Sequence, residues 1–206
     1  QALSRDVKRA MEICVENANT SIFTSAESNA HYSGMGTTLV VGAFIGSRLI
    51  LGHIGDSRCY RWRYNTLVPI TRDHSLLQEQ LDAGLITPEQ AAVSPNRNLV
   101  TRALGVEASV ELEVNEFRVE PGDVYLMCSD GLTDMVEPEV IHTVLDEKRS
   151  DLAEAVADLI DLANQNGGRD QQADHHRWRC PWHAQAGADR QRGGLLRSMS
   201  RRAGGC

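Results

Sequence analysis

No run of apolar residues approaches the ~20 that a membrane span requires, and no basic-then-apolar leader opens the chain. Net positive charge is lacking too. The 206 residues carry −7 at pH 7, which argues against general nucleic-acid binding. Cysteine is sparse, five residues with no regular spacing, so no secreted disulfide framework is expected. These absences predict a cytoplasmic protein with neither nucleic acid nor membrane as partner. Hydrophobic residues still make up 41%, enough for one core of ordinary size. The first residue is Gln1 rather than Met, so the natural beginning is expected upstream.

The charge is uneven. Residues 171–206 hold seven Arg, two Asp and no Lys, a net +5, whereas residues 1–170 carry 14 basic and 26 acidic side chains, or −12. The segment also has no Val, Ile, Phe or Tyr, so it offers neither a strand nor a core face. Three readings of it stay open. It is a solvated basic tail; or His175, His176, Cys180 and His183 bind zinc without the hydrophobic positions a zinc finger needs; or it is out-of-frame sequence.

Before that break the pattern is regular. Leu3, Val7, Ala10, Met11, Cys14 and Ala18 recur at helical spacing and predict an amphipathic helix over residues 3–28. Thr37–Ile45 and Arg48–Ile54 read as strands joined by Gly46-Ser47, a two-residue hairpin loop. Tyr60, Trp62 and Tyr64 alternate with Arg61 and Arg63, and Asn65-Thr66 is expected to turn the chain into Leu67–Ile70. That alternation explains Trp62 between two arginines better than a nucleic-acid patch does. Residues 75–104 are polar and punctuated by Gly84, Pro88 and Pro95, a surface insertion of short helices. Val110, Leu112 and Val114 alternate, then the apolar phase slips to Phe117 and Val119, which predicts a bulge or bend. Pro121-Gly122-Asp123 turns into Val124–Cys128, a run expected of a buried central strand. Pro138 opens one helix; Ser150 caps another, stopped by Gly167-Gly168. Cys14 and Cys128 lie on apolar faces and read as core. Hairpins between terminal helices define an α+β protein on antiparallel sheets.

Three carboxylates sit beside glycine where elements end: Asp56 in Gly55-Asp56-Ser57-Arg58, Asp130 in Ser129-Asp130-Gly131, and Asp170 in Gly167-Gly168-Arg169-Asp170. Any one alone is ordinarily a turn. Together, as oxygen ligands without Cys or His, they select hard octahedral ions such as Mg²⁺ or Mn²⁺, and a pair of such ions activates water for phosphoryl chemistry. A competing reading makes Ser57 an esterase nucleophile with His53 or His74 as its base.

Six motifs appear in order: Ser33-Gly34-Met35-Gly36-Thr37-Thr38, Gly55-Asp56-Ser57-Arg58, Thr71-Arg72-Asp73-His74-Ser75, Asn98-Leu99-Val100-Thr101-Arg102-Ala103-Leu104-Gly105, Pro121-Gly122-Asp123 through Cys128-Ser129-Asp130-Gly131-Leu132-Thr133-Asp134, and Gly167-Gly168-Arg169-Asp170. Over residues 1–170 this resembles the metal-dependent, type 2C (PPM) protein serine/threonine phosphatases in their bacterial form. The resemblance implies a β-sandwich of two antiparallel sheets flanked by helices (α-β-β-α), incomplete at both ends. It implies hydrolysis of phosphoserine and phosphothreonine in proteins, the products of a serine/threonine kinase, by a water activated on a binuclear Mn²⁺ or Mg²⁺ centre. Asp130 and Asp170 would hold one ion of the pair, and Asp56 with Asp130 a third, weaker one. Residues 73–104 match the family's flap, which places Asp73, His74 and Ser75 beside the substrate, although a local turn serves Asp73 equally well.

The family's phosphate-gripping Arg, and the Asp-Gly-Met-Gly-Gly block whose Asp bridges both metals, precede the helix that opens this chain. After Asp170 the family continues with Asn and an aliphatic strand, whereas this chain continues with Gln171-Gln172, in keeping with a frame shift. This chain alone is therefore expected to be inactive. The alternative is a non-catalytic module that keeps the scaffold to bind phosphoproteins or kinases.

Overall fold

Antiparallel hairpins build two three-stranded sheets, and each sheet carries helices on its outer face. The computed structural model describes residues 2–96 and 99–167. One sheet has the order β1 (Leu39–Ile45), β2 (Arg48–Ile54), β5 (Glu113–Arg118); the other has β4 (Thr66–Pro69), β3 (Arg58–Arg63), β6 (Val124–Cys128). Helix α1 (Ala2–Ser28) packs against the first sheet. Helices α4 (Asp130–Thr133), α5 (Pro138–Glu147) and α6 (Leu152–Gln165) cover the second. Between β4 and β5 stand α2 (Leu76–Asp82) and α3 (Pro88–Ala92). The layers run α-β-β-α, as expected. Among the described residues no helix is long and apolar enough to cross a membrane.

Three apolar clusters hold these layers. Leu49, Leu51, Cys59 and Tyr125 meet between the sheets, joined by Met127 and Phe117. Tyr60, Trp62, Leu126 and Cys128 pack under Ile141, Leu145 and Leu159. Val15 with Ile22 meets Ile54 and Leu104 beneath α1. Gly42 lets the sheets close, since a Cβ there would press on the Met127 methyl at 2.7 Å.

Several local expectations shift. Gly46 does open the β1–β2 turn, at φ +57°. The next turn, however, is Tyr64-Asn65, both at positive φ, and Thr66 already belongs to β4. That backbone suits the twist of a two-residue hairpin, and the Tyr64 hydroxyl is tied to Glu120 Oε2 at 2.7 Å. No bulge breaks β5, which pairs with β2 without interruption from Arg48↔Arg118 to His53↔Glu113. The apolar phase changes because β5 is covered on both faces: Phe117 joins the inter-sheet cluster, while Glu116 meets Lys8 of α1. Strand β6 is buried as expected, yet β3 is the central strand, and β6 owes its burial to helices and sheet covering its faces. Asp151, not Ser150, caps α6 by accepting from the Glu154 amide.

Helix α1 rests on a different stripe from the predicted one. Ser4, Val15 and Asn19 are its buried residues, whereas Leu3, Ala10, Cys14 and Ala18 are exposed. Cys14 is thus not core, while Cys128 is. The cause lies outside the helix. Asn19 Oδ1 accepts from the Gly105 amide at 2.7 Å and its Nδ2 donates to the Glu107 carbonyl at 2.9 Å, so a polar residue turns inward to hold a loop.

Candidate metal centre and the flap beside it

The antiparallel register of β3 and β6 gathers the first carboxylates. Arg58 pairs with Cys128, so Asp56, two residues before Arg58, and Asp130, two after Cys128, emerge at the same end of that sheet. Residues Gly55–Ser57 also carry the chain from one sheet to the other, which forces a sharp turn. Gly55 takes φ +98° there, and a Cβ would overlap Thr38. Asp56 is half-buried; Asp130 is exposed, at the first position of α4. The Asp56 carboxyl is held above the ordinary carboxylate range, first by burial and then by the negative charge of Asp130. Two oxygen-bearing groups that repel each other at the end of a sheet suit a hard divalent cation, which would remove that repulsion.

Asp73 has a partner. Arg58 grips it with Nε at 2.9 and 3.0 Å from its two oxygens and Nη2 at 2.6 Å. Its charge still adds to the upward push on Asp56, after those of burial and Asp130. Ser75 is buried and caps α2, its Oγ accepting from the Gln78 amide at 3.2 Å. Within the stretch matched to the flap Ser75 bridges Val100, and at its far end Leu104 bridges Thr37. Asp170, the tail 171–206 and its four zinc candidates, and Asn98 of the fourth motif lie outside the described residues.

His74 is buried against His53, which the sequence offered only as a base for Ser57, and Glu113, which no local pattern singles out. Its Nδ1 accepts from the Gly55 amide at 3.2 Å and its Nε2 lies 3.1 Å from Glu113 Oε2. The His53 ring stacks on it at 4.6 Å with 22° between planes, and His53 Nε2 donates to the Arg72 carbonyl at 2.8 Å. The signal was non-local: His53 and Glu113 are register partners across β2 and β5, sixty positions apart in the chain. These three residues offer possible ligand atoms within 4.8 Å of one another, but the geometry opposes a shared ion. Near-parallel rings aim their nitrogen lone pairs side by side rather than at one point. An Nδ1 that accepts a backbone hydrogen leaves the proton on Nε2, where a metal would have to bind.

The esterase reading finds no support. Ser57 Oγ pairs with Thr38 Oγ1 at 2.8 Å, and among the described residues no hydrogen bond joins Ser57 to either histidine. Trp62 is buried under Arg149, whose guanidinium stands 4.5 Å from the ring centroid, so its arginine neighbours follow from strand alternation.

A two-sheet sandwich between helices, with acidic turns gathered at one sheet end, is the architecture that the resemblance to the metal-dependent phosphatases implies, and comparison with known proteins agrees. A family model described as Stage II sporulation protein E (SpoIIE) matches residues 81–175. The serine/threonine phosphatase stp of Listeria welshimeri is 41% identical over 156 residues, covering 76% of this chain and 62% of that protein. The solved serine/threonine phosphatase of S. agalactiae superposes with a TM-score of 0.75 at 36% identity, over 80% of this chain and 67% of its own. The catalytic domain of the serine/threonine protein phosphatase PstP, solved with two manganese ions, gives a TM-score of 0.69 at 40% identity, over 78% and 66%. The chain belongs to the PPM, or type 2C, family of protein serine/threonine phosphatases, in its bacterial form. It spans about three fifths of the Listeria relative's length.

Proposed function

We propose that this chain is part of an enzyme that hydrolyses phosphoserine and phosphothreonine in proteins, the substrates being products of a serine/threonine kinase in the cytoplasm. The observation that carries the reading is the register of β3 and β6, which brings the turns of Asp56 and Asp130 to one end of the sheet. Burial and the charge of Asp130 push the Asp56 carboxyl up against the opposing pull of Arg58, so negative charge is gathered there. Asp56 and Asp130, together with Asp170, are proposed to hold Mn²⁺ or Mg²⁺, two ions and a third. Bound there, such ions supply an activated water and neutralise the phosphoryl charge. Arg58 keeps Asp73 in place and lends a nearby positive charge to Asp56. The flap, residues 73–104, is proposed to border this end of the sheet and to meet the substrate. PstP, crystallised with two manganese ions, supports the choice of metal.

Residues 1–170 are proposed to form the phosphatase-like unit, with residues 171–206 adding nothing to it. The test is an assay with Mn²⁺ on a phosphothreonine peptide, using these 206 residues and a longer version that includes an upstream Asp-Gly-Met-Gly-Gly block. Hydrolysis is expected from the longer protein and not from the shorter. A longer protein that holds the phosphopeptide without cleaving it would establish the binding-module alternative instead.

A further inference from the structure

We propose that His74 and Glu113 are positioning residues for Asp56, fixing the turn that presents its carboxylate. The inference rests on the proposed role of Asp56 at the metal centre. Asp56 sits in a three-residue link between sheets, beyond the end of β2, where no ladder partner holds the backbone. The residue before it is held instead by a single side chain's owner. Gly55 donates its N–H to His74 Nδ1 at 3.2 Å, and its carbonyl accepts from the His74 amide at 2.9 Å. Both polar backbone groups of Gly55 therefore belong to His74.

That grip depends on ring orientation, and the structure fixes the ring from two sides. Because Nδ1 accepts, the proton of the neutral ring is on Nε2, which donates to Glu113 Oε2 at 3.1 Å. Glu113 Oε1 is itself held by Asn115 Nδ2 at 2.9 Å. On the ring face lies His53, pinned through Nε2 to the Arg72 carbonyl. A 180° flip of the His74 ring would set a carbon against the Gly55 N–H and remove the acceptor. Burial, with His53 beside it, outweighs the opposing pull of Glu113 and lowers the His74 pKa, which keeps Nδ1 free to accept. Outer partners that fix a ligand's approach are worth tenfold or more in metal affinity in well-studied sites. Here the same work passes through backbone, from Asn115 and Glu113 through His74 and Gly55 to Asp56.

The experiment measures backbone ¹⁵N order parameters in the 206-residue chain, with Mn²⁺ titrated alone by calorimetry. In His74→Ala the order parameter of the Asp56 amide is expected to fall from about 0.85 toward 0.6, while Leu49, Ile50 and Leu51 within β2 stay rigid. Mn²⁺ affinity should weaken about tenfold. Glu113→Ala, on a partly exposed side chain that endangers folding less, should give the same pattern more weakly. Glu113→Gln should restore wild-type values, since an amide oxygen still accepts from Nε2–H. An unchanged Asp56 amide in both alanine variants, equal Mn²⁺ affinity in wild type and His74→Ala, or β2 loosening in step with Asp56 would each overturn the proposal. If the wild-type chain takes up no Mn²⁺, the metal reading of Asp56 falls, and the order parameters alone decide whether the pair positions the turn.

Discussion

Arg63, at the end of β3, closes on Asp123 with two parallel bonds, Nε to Oδ1 and Nη2 to Oδ2, each 2.6 Å. The Glu120 amide at 2.8 Å and the Tyr125 hydroxyl at 3.0 Å complete the set around this fully buried carboxylate. The aspartate of the Pro121-Gly122-Asp123 motif is thus the keystone of the turn into β6, distant in role from Asp56 and Asp130. Removing one partner of such a pair leaves the other charge poorly compensated. Asp123→Ala is expected to lower unfolding stability by about 3 kcal/mol, read as a reduced urea midpoint with unchanged slope.

The same carboxylate sets an acid limit. Burial pushes its pKa up, but Arg63, the Glu120 amide and Tyr125 outweigh burial and hold it below the ordinary value of 3.8. The unfolded chain therefore binds this proton first as pH falls. Asp123's contribution is complete above that ordinary value and is lost below it, through the depressed folded-state pKa. Urea midpoints followed downward from about pH 5 should fall more steeply for wild type than for Asp123→Ala across that acid window.

Gly105 joins the far end of the flap to α1. It takes φ +84°, and a Cβ would overlap the Ile22 side chain. Gly105→Ala combines backbone strain of about 1–2 kcal/mol with that collision. Thermal unfolding should show a clear loss of stability. Adding Ile22→Ala should relieve the collision and leave the strain, so the double variant is expected to recover only part of the loss.

Asp130→Asn tests the proximity of the two acidic turns without any metal. The Asp56 carboxyl should titrate lower than in wild type, because the second-largest upward influence is gone, while burial keeps it above an exposed aspartate. Carboxyl-carbon NMR across the acid range checks the direction. An unmoved Asp56 would separate the two residues.

The strands and their hairpins were readable in the sequence because their signals are local. Glycine at the Gly46 turn and alternation in Tyr60–Trp62 depend on neighbours along the chain. The turn falls at Tyr64-Asn65, one residue before the Asn65-Thr66 that composition favours, because a bulky tyrosine at positive φ is not a local signal. The buried stripe of α1 departs from the apolar one because the Asn19 amide finds both its partners on a distant loop. Glycine neighbours and the order of motifs single out Asp56 and Asp130 as turn carboxylates, and the register of β3 and β6 brings them to one sheet end. The meeting of His53 and Glu113 beside His74 is not legible, since the first two come together only across β2 and β5. Side chains fixed by their own segment can be read, whereas those fixed by a partner strand wait for the fold.

The buried amide of Asn19 has one further consequence. An oily stripe by itself permits a helix to roll or slide by a turn at little loss, because one aliphatic contact substitutes for another. An amide whose oxygen and nitrogen each require a specific counterpart on the same loop tolerates no such freedom. Helix α1 therefore has a single azimuth, and the loop at Gly105–Glu107 inherits it.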